Sequence, residues 1–187
     1  MPAIEAPALD TDRLTLRLVE QRDLPDLFAI HSVDEVNRFL PYKTWQEMGD
    51  AQAWYERAIG RHEEGSAMQY VVIEKDSGTV VGTNLLFHFD RDNGRCALGY
   101  ALGQRWWRRG YMREAIATLL DHAFGPLALR RIEAEVDPRN TASNGLLLQM
   151  GFMCEGLLRQ RYQTKGEIKD VRTYGLLRHE WPGTNAS

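Results

Sequence analysis

A chain of 187 residues with 43% hydrophobic and 26% charged residues is long enough for one full core and has ordinary globular composition. Its formal net charge of −3 and pI near 6.0 argue against nucleic acid and membrane surfaces as partners, since either calls for a basic face. There is no run of about 18 apolar residues, and the first residues are acidic where a signal peptide is basic and then apolar, so the expectation is a cytoplasmic chain. The two cysteines, Cys96 and Cys154, sit in apolar strand-like stretches and are expected as buried thiols of a reducing compartment.

Taken in chain order, residues 13–19 alternate apolar and polar, as a half-buried strand does. Asp23 then opens a helix with Leu24, Leu27, Phe28 and His31 toward one face. A second helix is expected over 44–61, where Trp45, Met48, Ala51, Trp54, Tyr55 and Ala58 recur at three- and four-residue intervals, and Gly65 closes it. Stretches 68–75, 80–90 and 96–103, separated by Asp-, Asn- and Gly-containing turns, predict a three-strand antiparallel meander. A helix from Met112 to about 124 carries an apolar stripe of Met112, Ile116, Leu119, Leu120 and Ala123. A strand over 129–137, a helix over 140–150 stopped by Gly151, and two strands, 152–162 and 168–178, joined by a turn at 164–167, complete the order. The expectation is a single α+β domain over 1–187, about seven strands and about four helices, with a disordered tail from about 182.

The segment "RWWRRGYMREAI", 105–116, concentrates charge at the mouth of a helix. A helix N-terminus presents N–H groups without intrahelical partners and about half a positive charge, which suits a phosphate. Gly110 allows close approach, and Arg105, Arg108, Arg109 and Arg113 can add charge-assisted hydrogen bonds. The competing reading leaves these arginines as solvated charges and makes Trp106 and Trp107 plugs at the core edge. No His or Cys cluster has metal-ligand spacing, so no metal is expected.

With "YALGQRWWRRGYMREAI", "RRIEAEVDPRNTASNGLLLQMGF" and "CEGLLRQRYQ", the chain resembles the GNAT superfamily of acyl-CoA-dependent N-acyltransferases, in its ribosomal-protein alpha-amine acetyltransferase branch. The resemblance implies the GNAT fold and acetyl-CoA as cosubstrate. By it, the backbone of Arg108, Arg109, Gly110, Tyr111, Met112 and Arg113 would hold the pyrophosphate, behind Arg105, which opens the loop motif. Tyr100, Ala101 and Leu102 would pair with the pantetheine arm, Asn140 would bond it from the other side, and Ser143 would serve as general acid. Phe39, Tyr42, His88, Tyr162 and Asp170 are candidates for the acceptor side, Asp170 alternatively as a turn cap and the aromatic residues as core.

Three positions depart from the family pattern. Arg108 stands where the loop usually has its first Gly and is expected to avoid positive φ, altering the loop slightly. Ala97 replaces a candidate base, and Leu147 replaces the Tyr that many members use as acid. Glu133 and Glu135 can act as a base through water or take part in cross-strand ion pairs. An α-amine, with a pKa of about 7.7 to 8.0, is partly neutral at pH 7 and needs less help than a lysine near 10.4. The implied reaction is acetyl transfer to a peptide N-terminal amine by direct attack in a ternary complex. A small-molecule amine acceptor and a non-catalytic acyl-CoA sensor are the alternatives, and a homodimer is among the expected partners.

Overall fold

The computed structural model describes residues 4–184. Its strands are β1 (Leu9–Asp10), β2 (Leu14–Leu18), β3 (Ala67–Glu74), β4 (Val80–Asp90), β5 (Arg95–Leu102), β6 (Arg131–Val136), β7 (Met153–Thr164) and β8 (Glu167–Leu177). The α-helices are α1 (Leu24–His31), α2 (Asp34–Asn37), α3 (Met48–Glu63), α4 (Tyr111–Phe124) and α5 (Thr141–Gln149). One sheet runs β1-β2-β3-β4-β5-β6-β8-β7, antiparallel throughout except for the parallel pair β5 and β6. The seven expected strands are all present; the eighth is the two-residue β1, too short for any periodicity to reveal. Helix α2 is likewise a single turn, and α3 starts at Met48 rather than 44 because Asp50 closes a capping box with Glu47.

The sheet separates two cores. On one face α4 and α5 bury Met112, Ile116, Leu119 and Leu147 against Leu86, Leu98, Ile132 and Tyr174. On the other, α1 and α3 bury Leu27, Ile30, Ala51 and Trp54 against Val71 and Val80. Strand β7 is an edge strand with Met153 62% and Leu157 51% exposed. That placement corrects the expectation for Cys154: Cys96 is buried, but Cys154 lies on the edge strand and is exposed. The β7–β8 turn has Lys165 and Gly166 at φ 54° and 80°, the left-handed pair of a tight two-residue hairpin. Residues 182–184, expected to start the disordered tail, are held by α4: Trp181 Nε1 donates to Asp121 Oδ1 at 2.7 Å, and Thr184 donates to the same carboxylate. The remainder of the expected tail lies outside the described residues.

His31 ends α1 fully buried, with its ring 4.6 Å from Trp45 and 5.6 Å from Tyr42, centroid to centroid. Asn37 Nδ2 donates to the His31 carbonyl, so Asn37 Oδ1 is left to accept from His31 Nδ1 at 3.1 Å. Burial pushes the ring's pKa down to about 4 against the opposing effect of the Asn37 hydrogen bond, so the ring is neutral at pH 7. Unfolding restores an ordinary imidazole near 6.5, so the unfolded chain binds one more proton between these values and stability falls as pH drops from 6.5 to 4. The slope from this residue is about 1.4 kcal/mol per pH unit in that window. Urea titrations at pH 4.5 to 7.5 should show it, and His31→Gln should flatten it.

Candidate active site

The loop between β5 and α4 is built on two left-handed residues. Arg108 has φ 61° and Gly110 has φ 79°. The expectation that Arg108 avoids positive φ is thus corrected: the turn takes the conformation a glycine would have, and Arg108 accepts the strain because its neighbours are fixed. Trp107 Nε1 donates to the Leu102 carbonyl at 2.7 Å on one side. On the other, Arg13 Nη1 donates to the Arg109 carbonyl at 3.0 Å, while its Nε binds Glu114 Oε2 at 2.7 Å. Trp106 packs into both cores with Arg105 stacked 5.1 Å from its ring, and a Cβ at Gly103 would meet that ring at 2.6 Å. The expected core-edge plug therefore holds for Trp106, whereas Trp107 is 40% exposed and clamps the loop. Gly110 caps α4, the first helical bond being Glu114 N–H to the Gly110 carbonyl, so the amides of Tyr111, Met112 and Arg113 face outward from the helix end.

Strands β5 and β6 pair at Arg95 with Arg131, Cys96 with Ile132 and Ala97 with Glu133, and pair no further. Beyond that point β6 stays on β8, while β5 stays on β4 as far as Leu102. The β6-side edge of β5 over 98–102 thus faces a gap, at the end nearest the loop. Across it Tyr100 reaches Ser143 on α5, hydroxyl to hydroxyl at 2.7 Å. Burial pushes the Tyr100 phenol up to about 12, so it stays protonated at working pH. Asn140 caps α5 by accepting the Ser143 N–H at 3.2 Å on Oδ1. Asn144 was not singled out from the sequence. Buried, it donates to the carbonyls of Asp137 at 3.0 Å and Asn140 at 2.6 Å and accepts from Tyr174 OH at 2.6 Å, so it sets where α5 begins. The signal available was an Asn in the first turn of a helix, a position that usually back-bonds.

The acceptor-side candidates divide. Tyr42 packs on His31 and is largely core, and Phe39 is half-buried under Arg38. His88 is exposed, at φ 53° in the irregular stretch of β4 between Phe87 and Asp90, and stacks 4.5 Å from Phe87. Asp170 accepts the Gln160 N–H at 2.8 Å, at the bulge of β7. Tyr162 donates its hydroxyl to Glu135. Glu133 is held at 2.8 Å by Arg131 and 3.2 Å by Arg95, an ion-pair network. The loops at 38–45 and 160–168 meet where Lys165 Nζ donates to the Asn37 carbonyl, beside a cavity of about 610 Å³ lined by Asp34, Arg38, Lys43 and Lys165. Among the described residues there is no cluster of His, Cys, Asp or Glu that could hold a metal, and no helix long and apolar enough to cross a membrane.

The acetyltransferase (GNAT) domain family matches residues 13–153. The chain is a GNAT acetyltransferase. It is similar to an uncharacterised N-acetyltransferase, p20, of Bacillus licheniformis, at 37% identity covering 94% of this chain and 98% of the relative. It is 30% identical to the ribosomal protein uS5 alanine N-acetyltransferase of Escherichia coli, covering 94% of this chain and 93% of that one. The crystal structure of a GCN5-related N-acetyltransferase from Brucella melitensis superposes with a TM-score of 0.88 at 27% identity, over 97% of this chain and 83% of that one.

For a GNAT acetyltransferase the strained Arg108 has a measurable consequence. A non-glycine residue in the left-handed region costs roughly 1 kcal/mol. Arg108→Gly should therefore raise the thermal midpoint by a few degrees or leave it unchanged, whereas Gly110→Val should lower it; calorimetry on the three proteins checks the order.

Proposed function

We propose that this acetyltransferase transfers the acetyl group of acetyl-CoA to a protein or peptide N-terminal α-amine by direct attack in a ternary complex. The observation that carries the reading is the gap between β5 and β6, with outward main-chain amides at its mouth and a paired Tyr100–Ser143 hydroxyl at its wall. Those amides, at 108–113, suit a diphosphate, and Arg105, Arg108, Arg109 and Arg113 are the charges within reach of it. The pantetheine arm then continues β5 as an added strand beside Tyr100, Ala101 and Leu102, with Asn140 Nδ2 donating from the opposite wall. The acetyl carbonyl lies in the gap, where a strand amide stabilises the developing oxyanion, the largest single electrostatic contribution in acyl transfer.

The chemistry needs a proton removed from the amine and one supplied to the departing sulfur. Tyr100 and Ser143 share one hydrogen bond, and the proposed mechanism takes Tyr100 as its donor, so that the Ser143 proton points at the thiolate; the thiol's pKa of about 8.5 makes this a modest demand. Leu147, in the position of the acid that many relatives use, is wholly buried in the α5 core and takes no part. Support for an α-amine acceptor comes from the relative that acetylates the alanine of ribosomal protein uS5, whose similarity spans 94% of this chain.

The test pairs binding with turnover. Acetyl-CoA should bind by calorimetry, and CoA release should be faster with Ala- or Ser-started peptides than with polyamines or free amino acids. Ser143→Ala should lower kcat by about a hundredfold with little change in acetyl-CoA affinity, and Tyr100→Phe should cost less. Preference for a small amine would overturn the acceptor, binding without any turnover would leave a sensor, and unchanged kcat in Ser143→Ala would remove that residue from the mechanism.

A further inference from the structure

The mouth of α4 carries two groups that an anion avoids. One is the main-chain carbonyl of Arg109, next to the helix-opening Gly110. The other is the carboxylate of Glu114, in the first turn of the helix. An acidic side chain there suits the free protein, because it meets the positive end of the helix dipole. For the same reason it competes with a diphosphate for that end. Against its partial burial, bonds from Thr11 and Arg13 hold the Glu114 carboxyl below its ordinary range, so it is charged at pH 7.

A single side chain from the start of the sheet takes up both groups. Arg13 Nη1 donates to the Arg109 carbonyl at 3.0 Å, while Nε and Nη2 fork onto Glu114 Oε2 at 2.7 and 2.5 Å. Nη2 also lies 3.4 Å from where a Cβ on Gly110 would stand, so the guanidinium is laid against the left-handed residue itself. Because the peptide unit is planar and trans, a carbonyl drawn toward Arg13 turns the Gly110 N–H the opposite way, away from Arg13. The guanidinium owes its place to the strands. The Arg13 carbonyl accepts the Lys75 N–H at 2.9 Å, its own N–H donates to Glu114 Oε1 at 3.1 Å, and Thr11 Oγ1 donates to the same oxygen at 2.5 Å. Both Glu114 oxygens are thus engaged by the turn between β1 and β2. The neighbouring carboxylate, Glu74, has other partners: the Tyr111 and Ser77 hydroxyls, with Arg109 and Arg13 behind them, hold it below the usual range.

We propose that Arg13 is a positioning residue of the acetyl-CoA site, which cancels the charge of Glu114 and turns the Arg109 carbonyl aside so that the first turn of α4 accepts a diphosphate. The inference rests on the coenzyme placement proposed above, and it requires no contact between Arg13 and the coenzyme. The pair is neutral in the native protein. Neutralising Arg13 leaves a negative charge at the anion's seat, neutralising Glu114 leaves a positive one, and changing both restores neutrality. Charge cancellation therefore gives the two single variants effects of opposite sign, whereas a brace that acted only through structure would weaken binding in every variant.

Calorimetry with acetyl-CoA on the wild type, Arg13→Gln, Glu114→Gln and the double variant tests this. At low ionic strength Arg13→Gln should bind about tenfold more weakly, and its deficit relative to wild type should shrink in about 0.5 M salt, where the bare carboxylate is screened. Glu114→Gln should bind roughly two- to tenfold more tightly, and the double variant should return to within about threefold of wild type. Should Arg13→Gln fail to fold, Glu114→Gln carries the test alone: tighter binding supports the role of Arg13, and equal or weaker binding overturns it. An Arg13→Gln protein that binds like wild type, or a double variant as weak as Arg13→Gln, also overturns it and leaves the coenzyme site standing. A wild-type protein that binds no acetyl-CoA overturns both.

Discussion

The separation of β5 from β6 beyond Ala97 and Glu133 is the constraint on which the site depends. Two parallel strands that continued to pair would consume the β5 amides over 98–102. They part because each is committed elsewhere: β5 to β4 as far as Leu102, and β6 to β8 as far as Val136. Helix α5 is then set beside the gap by Asn144, whose amide holds two carbonyls at the end of β6 while its oxygen takes the Tyr174 hydroxyl. Removing that side chain would strand a buried phenol and two carbonyls, a cost of about 1–3 kcal/mol for each group left unpaired.

The loop between β5 and α4 shows local preference giving way to tertiary fixation. Left alone, an arginine disfavours the left-handed region. Here Trp107 ties one end of the loop to Leu102, and Arg13 ties the other end to Arg109 and Glu114 while lying 4.6 Å over the Tyr111 ring. The backbone between them has little choice, and Arg108 takes the shape that a glycine would take freely. The polar groups proposed to bind the coenzyme are main-chain amides, whose placement survives changes of side chain.

Legibility in the sequence followed the length and regularity of each element. The alternation in β2 and the stripe of α4 are carried by many residues and read correctly, as did the helix start after Gly110. The single turn of α2 and the two residues of β1 hold too few positions to show a period. Burial of Cys154 was misread because an edge strand and a central strand share a pattern, and only topology tells them apart. The distinct fates of Glu133 and Glu135 were equally hidden: they differ in where β5 stops pairing, a property of register between segments 38 residues apart at Arg95 and Glu133.

The claim beneath all of this is that main-chain amides at 108–113 and along 98–102 are the coenzyme's contacts. Backbone amide exchange with and without acetyl-CoA reads those groups one by one. Slowed exchange confined to these two stretches and the start of α5 is the predicted result. Unchanged exchange there at saturating acetyl-CoA, or protection centred on α3 instead, would contradict the account.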